Sequence, residues 1–197
     1  MTRRRTLVTT SLLVASICLV TGVGTGLAFA SVSQPGTVEC RAVSGVIKFN
    51  PPLTSGGSSA EAAALRIAVK GCKASGGGLT PHVGKGFVVL TTTTNNCDDL
   101  TSGEIRGVAL VIRWSPTKIG DSTLAFPGFT PVAGGKVGLS AGGAGTTVSG
   151  SYAGTDGGAS STLALITNLS ATQEVKACQS VRGLRSVTIQ EGTLVLQ

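Results

Sequence analysis

Apolar residues recur at every second position through two long stretches of this chain, and the two stretches can be laid against each other in one register. Between Val43 and Phe49, one face carries Val43, Ile47 and Phe49, and the other Ser44, Val46 and Lys48. Between Ala63 and Gly71, one face carries Ala63, Leu65, Ile67 and Val69, and the other Ala64, Arg66, Ala68 and Lys70. A period of two is the mark of a strand with one buried and one wet face, which antiparallel sheets allow. Pairing Ile47 with Leu65 and Val43 with Val69 as a hairpin sets Cys40 opposite Cys72. Directly opposed strand residues lie about 4.5–5.5 Å apart at Cα, within reach of a disulfide. Continued without interruption, the alternation carries both cysteines onto the polar face with Lys48, Arg66 and Lys70.

The same pattern repeats along the rest of the chain. Strand candidates are Gly86–Thr94, Glu104–Trp114, Ser122–Phe126, Lys136–Ser140, Thr146–Ala153, Ser161–Asn168, Arg185–Gln190 and Thr193–Leu196. Turn clusters such as Asn50-Pro51-Pro52, Ser75-Gly76-Gly77-Gly78 and Thr155-Asp156-Gly157-Gly158 separate them. Gly supplies 29 of 197 residues, about twice the usual share, as many tight turns require. The expected fold class is therefore all-β, an antiparallel β-sandwich or jelly-roll-like domain. One short helix is expected near residues 171–180, because Ser170 and Gln173 form a capping-box pattern and Gly183 can end the turn.

Residues 1–30 read as a signal peptide. Arg3, Arg4 and Arg5 make a basic start, Leu7–Val20 an apolar run, and Ala28-Phe29-Ala30 a small-x-small cleavage site. The apolar run is shorter than the roughly 20 residues of a membrane span, so no stable span is expected after cleavage. A Sec-type and a twin-arginine route both fit the paired arginines. Residues 31–37 then form a flexible N-terminal arm and 38–197 a single disulfide-stapled β domain. Removing 30 of the 197 residues also removes three arginines, leaving 13 basic against 9 acidic residues. A net charge of +4 with no Lys/Arg-rich run is not a nucleic-acid footprint, so no nucleic-acid partner is expected.

Four cysteines lie outside the leader: Cys40, Cys72, Cys97 and Cys178. With Cys40 paired to Cys72 by register, Cys97 and Cys178 remain for the second bridge, as suits an oxidising compartment. No C-x-x-C is present and His82 is the only histidine, so no metal site and no cofactor are expected. A serine triad would need His82, yet no G-x-S-x-G elbow accompanies it. Asp98, Asp99 and Glu104 cluster beside Cys97, where paired carboxylates could serve hydrolysis, although a solvated turn produces the same pattern. Trp114 shares a face with Val108, Leu110 and Ile112 and belongs to the core. Phe126 and Phe129 flank Pro127-Gly128, where exposed aromatics could anchor a partner or fold back as a plug.

The stretches Val46-Ile-Lys-Phe-Asn-Pro-Pro-Leu53, Lys70-Gly-Cys-Lys73 and Gly150-Ser-Tyr-Ala-Gly-Thr-Asp-Gly-Gly-Ala-Ser-Ser161 resemble those of small exported actinobacterial β-rich proteins with no assigned function. The resemblance implies an exported, disulfide-stapled β domain and carries over no catalytic residues.

Together these features favour a non-enzymatic exported module, secreted or associated with the cell envelope, that binds a ligand. Lys48, Arg66 and Lys70 are candidate contacts to cell-wall or other anionic envelope polymers. The alternatives are a secreted hydrolase using Asp98, Asp99 or Glu104, and a protease inhibitor presenting the disulfide-braced loop Asn95–Thr101. N-terminal sequencing of the exported chain is expected to begin at Ser31; a mature form that retains Leu7–Val20 would contradict the signal assignment.

Overall fold

The computed structural model describes residues 31–98, 106–132 and 135–197. Strands β1 (Thr37–Leu53), β2 (Glu61–Ser75), β3 (Val83–Thr92), β4 (Arg106–Ser115) and β5 (Ser122–Gly128) form an antiparallel meander. The chain then crosses over to β6 (Thr130–Val132) and β7 (Gly138–Gly142) at the opposite side of the sheet, and comes back to β8 (Thr147–Gly150) on the free edge of β5. β9 (Thr162–Thr167), helix α1 (Ala171–Cys178) and β10 (Leu184–Leu196) complete it, with β10 hydrogen-bonded to β1. The order across the single ten-stranded sheet is β6-β7-β9-β10-β1-β2-β3-β4-β5-β8.

Among the described residues the fold is all-β and antiparallel with one short helix, as the periodicity implies. Its two facing layers are the halves of one sheet, curled until β5 and β7 meet across the interior. One continuous core fills the curl, from Ile47, Leu65 and Ile67 through Leu110, Ile112 and Leu124 to Leu163, Leu165, Ile189 and Leu194. Two sequence segments are partitioned differently from expectation. Arg185–Gln190 and Thr193–Leu196 belong to the single strand β10, whose register against β9 shifts between Ile189 and Glu191. The three-residue β6 is too short to show a period.

The hairpin register of β1 and β2 is the expected one, with Val43 opposite Val69, Ile47 opposite Leu65 and Cys40 opposite Cys72. Cys40 and Cys72 are bonded, as are Cys97 and Cys178. The facing of the first pair departs from simple alternation. Val43 and Ile47 point inward, yet so do Val38 and Cys40, the latter fully buried. Gly71 adopts φ +62°, a left-handed conformation that favours glycine, and the inward phase of both strands reverses beside it. The Cys40–Cys72 bridge therefore lies against the core rather than on the polar face.

Two more expectations are corrected. Phe126 and Phe129 are 3% and 2% exposed, so they are not a partner loop. Their rings meet edge to face at 4.8 Å where the chain leaves β5 for the far side of the sheet. Burial is the physical reason: this is the seam where the curled sheet closes, and two aromatic rings fill it. The segment 31–37, expected as a loose arm, is stitched to one end of the curl. Val32 N donates to Lys118 O at 3.0 Å, Tyr152 N to Gln34 O at 2.8 Å and Leu79 N to Gln34 Oε1 at 3.0 Å.

Helix α1 begins at Ser170 with both bonds of a capping box to Gln173, and the Cys97–Cys178 bond ties its last residue to the loop after β3. No helix among the described residues is long and apolar enough to cross a membrane.

Strand β3 sets the shape of the sheet. A Cβ on Gly84 would lie 2.7 Å from the Trp114 ring, and one on Gly86 2.6 Å from Ile67 Cγ1. Both positions face inward, so the β3 backbone rests directly on core side chains. A Gly86→Val substitution is expected to lower stability by about 1–3 kcal/mol through overpacking, read as a lower denaturation midpoint with an unchanged denaturant slope.

Candidate functional site: the outer face of the curled sheet

Because β1 to β4 alternate in and out, their outward residues line up in rows across the sheet. One row runs Ser44, Ala68, Lys85, Arg113. The next runs Val46, Arg66, Phe87, Val111. Beneath these rows the inward positions alternate glycine with isoleucine, as Gly45, Ile67, Gly86 and Ile112. With no side chain under it, the β3 backbone at Gly84 and Gly86 lies directly on core side chains. On the outer side of the same strands is a depression of about 850 Å³ lined by both rows.

Its chemistry is cationic and apolar at once. Phe87 and Val111 are 46% and 39% exposed, large values for an aromatic and a β-branched residue. The Arg66 guanidinium sits 5.2 Å from the centre of the Phe87 ring, a cation–π contact. Lys85 lies directly opposite Arg113. Arg113 Nε is 3.8 Å from Asp121 Oδ2, and both side chains are mostly exposed.

The three cations singled out by sequence all reach this outer surface. Arg66 lines the depression, while Lys48 and Lys70 are exposed beyond it, opposite Ala64 and Ala42. Lys85 and Arg113 were not singled out. Alternation within β3 and β4 would have found them, but Lys85 sits in Gly84-Lys85-Gly86, which resembles a fragment of a phosphate loop more than a strand.

The acidic alternative is split. Asp99 and Glu104 lie outside the described residues. Asp98 is exposed and follows Asn95 and Cys97, which are 8% and 7% exposed. Asn95 Nδ2 donates to Pro52 O at 2.8 Å and Cys97 N to Thr54 O at 3.2 Å, so the described part of the braced loop is tucked against the body. A carboxylate missed by the sequence reading, Glu174 of α1, is 3% exposed. Burial, with the nearby Asp98 charge adding to it, holds its carboxyl above the ordinary range. Such a pair could divide acid and base roles, but a general acid must reach its substrate. Its position in the first turn of a short amphipathic helix, where a carboxylate is ordinarily solvated, gave no sign of this burial.

Several other polar groups have structural partners. His82 is exposed, and its backbone N–H donates to Ser115 O at 2.8 Å. The Asp156 carboxylate accepts from Ser160 N and Gly158 N at 2.9 Å each, and bonds from these two residues hold it below its ordinary range. Trp114 is in the core as expected; its Nε1 donates to Ser122 Oγ at 2.8 Å, and Ser122 Oγ to Ser151 O at 2.6 Å. Tyr152 packs edge-on against it at 5.5 Å, and desolvation pushes the Tyr152 hydroxyl up to about 12. Among the described residues, no three His, Cys, Asp or Glu side chains are grouped to hold a metal ion.

No family model, curated protein or solved structure matches this chain.

Glu174 also makes a testable contribution to stability. A carboxyl whose folded pKa is raised is best tolerated when protonated, so its contribution is most favourable below the ordinary carboxylate range and is lost as pH rises through the raised value. Glu174→Gln is therefore expected to raise the melting temperature at neutral pH and to change it little in acid. Thermal melts across that range check it; a difference independent of pH would contradict it.

Proposed function

We propose that the protein is an exported, non-enzymatic module that attaches loosely to anionic polymers of the cell envelope through the outer face of its sheet. The observation that carries the reading is the gathering of Lys48, Arg66, Lys70, Lys85 and Arg113 on one surface of β1 to β4. Among the described residues, only Arg113 of these five has an ion-pair partner, Asp121. Neighbours such as Lys85 and Arg113, directly opposed, lie within a Debye length, about 8 Å at physiological salt, and add their fields toward a polyanion, while Lys48 and Lys70 extend the positive surface to either side. Two disulfides support a working place in an oxidising compartment, where such bonds persist. The basic, apolar and small-residue order of residues 1–30 supplies a route there.

Each exposed contact is worth roughly 0–1 kcal/mol, so attachment is reversible and depends on several contacts at once. Cosedimentation with purified cell wall tests it. The parent protein is expected to pellet at low salt and to stay in solution at high salt. A Lys48→Gln, Arg66→Gln, Lys70→Gln triple variant is expected to stay in solution at both. Pelleting that ignores both salt and the triple change would overturn the reading.

A further inference from the structure

We infer that the depression on β1 to β4 is a site for a single-chain anionic amphiphile, its carboxylate or phosphate head between Lys85 and Arg113 and its apolar chain along Phe87, Val111 and Val89. The inference rests on the outer face as the working surface but not on the polymer as its ligand.

The first argument is the order of the rows. Outward positions along a strand repeat every second residue, about 6.8 Å apart. The row of Lys85 and Arg113 is charged. The next, one step along the strands, pairs Phe87 with Val111 on β3 and β4, with Arg66 of β2 stacked against the far side of Phe87. A further step, just beyond the lining of the depression, brings Val89, which is 51% exposed and opposite Ala64. Charge at one end and apolar surface running away from it is the pattern complementary to a head and a tail. A polyanion has no use for the exposed apolar surface that Phe87, Val111 and Val89 present on β3 and β4.

A second argument comes from the Lys85–Arg113 pair itself. Like charges directly opposed on antiparallel strands are destabilising. Asp121 answers part of this from the side of Arg113. Among the described residues Lys85 has no ion-pair partner, so an anion seated between the two relieves a repulsion that the free protein carries. Guanidinium and ammonium both donate to a carboxylate or phosphate, and such charge-assisted bonds are the stronger kind.

Shape gives the third. The depression's roughly 850 Å³ falls in the range of small-molecule sites. Its wall on one side is the Arg66–Phe87 stack, whose ring presents an exposed flank to a chain lying beside it. A second copy of this chain fits the same face poorly. A twofold contact would set Arg66, Lys85 and Arg113 against their own copies.

Isothermal titration calorimetry of the purified protein with dodecanoate, below its aggregation threshold, tests the inference. Butanoate supplies a head without a tail, and dodecyltrimethylammonium a tail with the opposite charge. Dodecanoate is expected to bind saturably, and the other two not at the same concentrations. A Lys85→Gln, Arg113→Gln double variant, and separately Phe87→Ser, are each expected to weaken binding by roughly tenfold or more, in line with loss of charge-assisted or anchoring contacts. All three side chains are exposed, and circular dichroism confirms that the variants stay folded. A Lys48→Gln, Lys70→Gln variant is expected to bind dodecanoate as the parent does, which keeps this result separate from cell-wall attachment. Equal uptake of dodecyltrimethylammonium, uptake that does not saturate, or indifference to the Lys85 and Arg113 changes would overturn the inference. So would sedimentation showing that the face is covered by a second copy.

Discussion

The contact on which the rest of this structure depends is that of the β3 backbone with the core. Gly84 lies on the Trp114 ring and Gly86 on Ile67, with no room at either for a Cβ. That contact has two faces. Inside, it lets one sheet curl tightly enough for its own halves to serve as opposing layers, so that Leu110, Ile112, Leu163 and Leu165 share a core. Outside, the same stretch of β3 lines the depression between Arg66, Lys85 and Arg113. Core packing and the candidate site thus meet at Gly84 and Gly86, two residues without side chains.

Closure at the ends follows from different chemistry. At one end the 32–36 segment, Leu79 and Tyr152 exchange backbone and side-chain bonds, with Tyr152 Oη donating to Leu79 O. At the other, the Cys97–Cys178 bond joins the loop after β3 to α1, across a sequence separation of 81. A cross-link over so long a loop removes much freedom from the unfolded chain, on the order of 4–5 kcal/mol in the chain-entropy account. The Cys40–Cys72 bond, across a separation of 32, lies within one hairpin, where the register already holds the two strands together. Among the described residues both ends are thereby occupied by structural bonds, while the outer face stays open.

Much of this was legible in the residues, because periodicity is a local property. Alternation in Val43–Phe49 and Ala63–Val69 was enough to pair β1 with β2 residue by residue and to choose the cysteine partners. Ser170 and Gln173 announced α1 through a bond pattern contained in four residues. What failed to show depends on breaks in the pattern or on distant chain. Gly71 reverses the phase of the first hairpin, and a glycine does not declare its φ in the sequence. β6 has three residues and exists only because β7 lies beside it. The burial of Phe126 and Phe129 required knowing that the sheet closes there. Arg66 was found because its strand is long and regular, whereas Lys85 was hidden between Gly84 and Gly86.

The central claim is that the outer face, and not the disulfide-braced end, is where this protein meets its ligand. Mapping backbone amide shifts by nuclear magnetic resonance during titration with a solubilised anionic envelope polymer tests this most directly. The account predicts shifts concentrated at 44–48, 66–70, 85–89 and 111–113, with Asn95–Asp98 and Glu174 unmoved. Shifts concentrated at Asn95–Asp98 and along α1, with the outer rows unmoved, would contradict it.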